Sequence, residues 1–203
     1  MTSRFDKMTK ISADPAAKQL ARANTRLDAK IAAPASAPPL TVLEELSAKG
    51  ETIDLLRLLA ILLPPRERVW WACLAARDIV GAGPEKATPS LLAAEAWVRD
   101  PSPANRETAR GTIDHAYVDD DTVHCATAVM YADGTLGPGD LANHPAPAGA
   151  AEMCAFAMNM VALREHPDIF EEYIQTLIDR AVDIGRGGNG RLPKPQGKLE
   201  KET

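Results

Sequence analysis

LLRLLAILLPPRERVWWACLAAR, residues 55–77, decides the fold of this chain. From Ile53 to Leu63 only Asp54 and Arg57 are polar. On a helix that pattern is apolar nearly all round, so the segment belongs inside a set of other helices. Its nine apolar residues fall short of the ~20 that a membrane-spanning helix needs. Pro64 and Pro65 end it, since neither has an N–H and a proline biases the residue before it away from helix. Pro65 suits the first turn of a second helix. Arg66, Glu67 and Arg68 are expected to hold the corner in water, and Val69 to Ala76 return to the core. The unit is a helical hairpin carrying adjacent Trp70 and Trp71.

The flanking sequence repeats this punctuation. Asp14-Pro15 predicts a helix start, with Leu20, Leu27 and Ile31 as its thin apolar stripe up to Ile31. The run AAPASAPP over residues 32–39 reads as a linker. Thr41 to Glu44 reads as a capping box and Gly50 as the end of that helix. Thr88-Pro89 and Ser102-Pro103 predict two more starts, the second helix running to about Val118. Asp119, Asp120 and Asp121 suit a helix N-terminus, where the macrodipole favours negative charge. DGTLGPGDLANHPAP, residues 133–147, is the longest irregular stretch and a candidate functional loop. Helices over Ala148–Arg164 and from Phe170 to Ile184 follow. The expectation is an all-α protein, a compact array of about seven to nine short helices around the Leu-rich, double-Trp hairpin. Residues 1–39 would be an N-terminal helix and Ala/Pro linker, 40–186 the helical domain, and 187–203 a disordered basic tail.

Composition narrows the function classes. With 203 residues and only 4% aromatics, the core must be built from Leu, Ile, Val and Ala. The net charge of −5 hides basic ends: residues 1–13 carry +2 and residues 186–203 carry +3, leaving −10 between them. An acidic body argues against nucleic acid as a partner, because phosphate contacts need a basic surface. No apolar leader segment opens the chain. Cys73, Cys125 and Cys154, without a CxxC pair, suit core positions in a reducing cytoplasm.

RLLAILLPPRERVWWACLAAR and the later EAWVRDPSPANRETA resemble a family of bacterial helical domains of unknown function that carries an LPxREAVWWA-type motif. The likeness covers roughly Leu43 to Gly188. In that family a Gly/Pro loop precedes the closing helix; this chain has YADGTLGPG where a Ser-Gly-Gly-like stretch is expected. Some members accompany type VI secretion genes. The resemblance implies a helical fold and a secretion-linked setting, and it assigns no site residue.

No catalytic constellation stands out. Trp70 and Trp71 point about 100° apart on a helix, which suits packing better than a flat ligand platform. Asp120 and His124 share an i,i+4 spacing that a metal can use, but no second pair accompanies them. Gly185 to Gly190 follows a helix and precedes none, so it lacks phosphate-loop geometry. The expected role is therefore non-enzymatic and without cofactor or metal: an adaptor or chaperone-like accessory that binds another protein. The residues singled out are Leu20, Leu27 and Ile31, on a helix free to detach or to swap between copies, the corner arginines Arg66 and Arg68, and the loop histidine His144. Neither nucleic acid nor membrane is an expected partner. The rival reading is an enzyme or small-ligand binder using the 133–147 loop.

Overall fold

The computed structural model describes residues 3–192, and among them the chain forms nine α-helices and no strand. These are α1 (Ala16–Arg22), α2 (Pro39–Lys49), α3 (Thr52–Leu62), α4 (Pro65–Val80), α5 (Pro89–Arg99), α6 (Pro103–Ile113), α7 (Val123–Met130), α8 (Ala150–Arg164) and α9 (Phe170–Gly185). The all-α architecture matches the sequence expectation. Thr88 and Ser102 cap α5 and α6 as read, accepting from the N–H groups of Leu91 and Asn105. Two boundaries move. The second helix starts at Pro39 behind Pro38 with no side-chain cap, so the Thr41–Glu44 capping box does not form. The sixth stops at Ile113, before the expected Val118.

The α3–α4 unit is the centre, but its two helices scarcely touch each other, so the expected hairpin is instead a sharp corner between helices that pack on other elements. Leu55, Leu56, Leu58, Leu59, Leu63 and Trp71 are all essentially inaccessible to solvent. Helix α4 packs against α5, α7, α8 and α9, and α3 against α2, α8 and α9. Ala151, Ala155 and Ala162 on α8 let neighbouring backbones approach closely. Trp71 anchors α9 by donating its indole N–H to the Leu177 carbonyl at 2.9 Å.

Arg68 overturns the reading of the corner. It is 5% exposed, not solvated. Pro64 and Pro65 have no N–H to offer the carbonyls four residues back, those of Ala60 and Ile61. The Arg68 guanidinium replaces both missing donors, at 2.6 Å to Ala60 and 3.2 Å to Ile61. Glu152 on α8 neutralises it at 2.9 Å. Burial depresses the Arg68 pKa and Glu152 opposes that shift.

Both ends of the described chain also depart from expectation. The first helix covers Ala16–Arg22 only, and residues 23–38 continue as irregular chain on the core. Leu20, Leu27 and Ile31 are half-buried against that core, so their apolar surface is used within the chain. Buried Asp54 accepts from the Ala29 N–H at 2.7 Å and from Arg57, which also reaches Asp28. Glu45 takes the N–H groups of Ala32 and Ala33 at 2.6 and 2.9 Å. At Gly149, φ is +78° and a Cβ would sit 2.2 Å from the Ala23 carbonyl oxygen; only glycine admits that approach. The basic segment before α1 is no loose tail either: Phe5 and Met8 are buried, and Arg4 bonds Gln175 and Asp179. The 32–39 linker thus docks because carboxylates of α2 and α3 take up amides from residues 29–33. Of the expected 187–203 tail, residues 187–192 are packed on the body, and 193–203 lie outside the described residues.

Two outcomes test this account. Arg68→Met should cost about 3–5 kcal/mol in urea unfolding, because it strands two buried carbonyls and the Glu152 charge. Trp71→Phe, which removes one N–H donor and part of a ring, should cost less than Arg68→Met. The Glu45 pKa is lowered to about 2, chiefly by the Ala32 N–H, then by Lys49 and Ala33. A carboxylate with a depressed folded pKa contributes stability above its unfolded value of 4.5, and loses it as pH falls toward 2. Hydrogen exchange should therefore show protection of Ala32 and Ala33 falling across pH 4.5 to 2, and already absent at neutral pH in Glu45→Gln.

Candidate functional site

Trp70 sits one residue before the buried Trp71 and therefore turns toward the edge of the core. Its indole N–H donates to the Asn189 carbonyl at 2.7 Å, and the Arg191 guanidinium lies 5.4 Å from its ring centroid. Around it opens a cleft of about 900 Å³ between α4, the last turn of α5, the end of α9 and the strap 187–192. That volume is in the range of ligand-binding sites.

The strap is held by directed bonds. Asp183 accepts from the Gly188 and Gly190 N–H groups, through its main-chain and side-chain oxygens respectively, both at 2.8 Å. Arg180 donates to the Leu192 carbonyl at 2.7 and 3.0 Å. Gly190 lies over Ile184 and Leu74 at φ +64°, where a Cβ would come within 2.7 Å of Ile184. A side chain there would force the strap or the Ile184 and Leu74 side chains to shift.

Six cations face three carboxylates across the cleft. Each carboxylate already has a cation. Lys10 pairs with Glu67 at 3.0 Å, and Arg77 grips Glu95 through two 2.7 Å bonds. Arg180 meets Asp78 at 2.5 Å, and Asp78 also accepts from the Tyr173 hydroxyl at 2.8 Å. Burial and the adjacent Asp78 raise the Tyr173 pKa far above its ordinary value, so this phenol stays protonated. Pairing with Glu95 raises the Arg77 pKa. The surplus is Arg66, Arg99 and Arg191. Arg66 uses its Nε on the Val98 carbonyl at 2.6 Å, leaving its terminal nitrogens without an intrachain partner among the described residues. Arg99 has neither ion pair nor side-chain hydrogen bond among the described residues. The arrangement can hold an anion.

The remaining sequence candidates separate. Arg66 joins the cleft, whereas Arg68 is committed to the corner. His144 is exposed on the 133–147 loop, which lines neither this cleft nor a second hollow of about 800 Å³. That second hollow lies by Ile79, His115 and Tyr117, and Tyr117 on its rim is 83% exposed. The loop is fixed at its base by Arg106, which bonds Met130, Asp133 and Thr135. Asp120 accepts from the Thr122 N–H and hydroxyl, ahead of α7, so the helix face it was expected to share with His124 does not exist. Among the described residues, no three His, Cys, Asp or Glu side chains gather to hold a metal. The cysteines are free; burial pushes the Cys154 thiol up to about 11 and the Cys73 thiol well above its usual value.

Arg99 and Arg191 were not legible as site residues. Arg191 belongs to a stretch that reads as tail, and only the basic excess after residue 186 hinted at a role.

Residues 42–185 match the model of a family described as "Family of unknown function (DUF6931)", and the chain belongs to that family. No curated protein and no solved structure matches it.

A chain ending at Arg186 should lose roughly 1–3 kcal/mol of stability, because the Trp70 N–H loses its acceptor and Arg180 loses the Leu192 carbonyl. Its tryptophan emission should shift to the red as Trp70 becomes wet. Unchanged melting and emission would show that the strap contributes nothing.

Proposed function

We propose that this family member is a non-enzymatic recognition protein, an adaptor or chaperone-like accessory that binds another protein through the Trp70 cleft. One observation carries the reading: the cleft's carboxylates are all engaged in ion pairs, while Arg66 and Arg99 keep guanidinium nitrogens to offer. General acid–base work needs a carboxylate or imidazole poised at the reacting group, and no histidine lines this cleft. Arginine in a partly apolar cleft is a common anchor of protein interfaces. The free cysteines favour the cytoplasm as the compartment. No helix among the described residues is long and apolar enough to cross a membrane. The type VI secretion setting implied by the resemblance indicates where a partner is to be sought. The rival reading, a small-ligand or enzymatic site beneath the 133–147 loop, has less support, because that loop walls neither hollow and is pinned by Arg106.

The test is co-purification from the native cell with the full-length chain and with Arg66→Gln/Arg99→Gln. The expected result is a partner recovered in stoichiometric amount with the first and depleted at least tenfold with the second, both chains being folded by circular dichroism. Equal recovery with both chains would remove the cleft from the interface.

A further inference from the structure

The cleft's charge and lining specify more than a generic interface. Resting on the protein-recognition reading above, we infer that the cleft binds an acidic peptide segment of a partner protein, its carboxylates on Arg66 and Arg99.

The two arginines work from one point. Arg66 bonds the Val98 carbonyl, whose peptide unit leads directly into Arg99. Arg66 from α4 and Arg99 from α5 therefore line the cleft beside the end of α5. A guanidinium presents two parallel N–H donors that match a carboxylate. Leu74, Val98 and Ile184 on the floor are already buried, so the charged groups offer the free contacts.

Phosphate fits less well. The grip on phosphate in glycine-rich loops comes from free backbone N–H groups. Here five of the strap's six amides are occupied: Gly187 donates to Ile184, Gly188 and Gly190 to Asp183, Arg191 to Asn189 and Leu192 to Gly190. At the α4 terminus Pro64 and Pro65 have no N–H, and the Arg66 and Glu67 amides that follow stand beside the Glu67 carboxylate. Glu67, Asp78 and Glu95 also face the cleft and repel a dianion more than a monovalent carboxylate. The −10 body around the cleft gives its cations local contrast.

Calorimetric titration of the full chain with synthetic peptides tests this. The probes are a ten-residue Glu/Leu peptide, its Gln and Lys counterparts, and inorganic phosphate alone. The Glu/Leu peptide should bind saturably, at least tenfold more tightly than the Gln version and with no detectable binding of the Lys version. Raising sodium chloride from 50 to 500 mM should weaken it severalfold, since exposed charges are screened. Arg99→Gln, which breaks no bond within the described residues, should weaken it severalfold, and Arg66→Gln/Arg99→Gln at least tenfold. Equal binding of Glu and Gln peptides, or phosphate binding as tight as peptide, overturns the inference. So does Arg99-dependent self-association by light scattering, which would make a second copy the occupant. Arginine-dependent partner capture without acidic-peptide binding sinks the peptide chemistry alone; arginine-independent capture sinks the recognition reading too.

Discussion

Two prolines in succession remove two backbone donors, and Arg68 supplies both from the next helix. The rest of the molecule depends on that exchange. It allows α3 to stop abruptly inside the core without stranding the Ala60 and Ile61 carbonyls, which would otherwise be a costly defect in so apolar a place. It also fixes the turn between α3 and α4, because a planar fork bonded to two successive carbonyls resists rotation. Glu152 then ties the corner to α8. A buried cation is expensive unless its charge and hydrogen bonds are matched, and here carbonyls and a carboxylate do both.

The same economy of arginines recurs away from the centre. Arg106 closes the end of α7 through the Met130 carbonyl, Arg66 takes the Val98 carbonyl at the end of α5, and Arg180 takes Leu192 from the strap. Helices this short have a large share of their carbonyls in terminal turns, where no intrahelical partner exists. Guanidinium groups with five donors are suited to that task. Where such an arginine also faces a carboxylate, as Arg180 faces Asp78, its charge is used up; where it does not, as at Arg66, the charge is left without a carboxylate among the described residues. The cleft is thus a by-product of how helix ends are finished.

The arms explain why the chain can be so poor in aromatics and still enclose its core. Residues 3–38 lie across α3, α8 and α9 through Phe5, Met8 and the half-buried Leu20, Leu27 and Ile31. The strap at 187–192 covers Leu74 and Ile184 on another edge. Neither arm has regular secondary structure over most of its length, so its amides must find side chains, and Asp54, Glu45 and Asp183 provide them.

The class of the fold, the position of the Pro-Pro corner, the caps at Thr88 and Ser102 and the burial of Trp71 were all determined by the sequence itself. Each is a local matter of period, proline placement or hydroxyl spacing, and such signals act over a few residues. Residues 14–38 and 187–192 read as detachable because their own apolar content is low, and no local pattern shows which distant carboxylate will accept an amide. Arg68 read as solvated for the same reason: charge next to Pro-Pro predicts a wet corner until the orphaned carbonyls are seen within reach. The cleft belongs wholly to tertiary structure. Arg66, Arg99 and Arg191 are separated by 33 and 92 residues in the chain, and only the packing of α4, α5 and the strap puts their charges on one cavity.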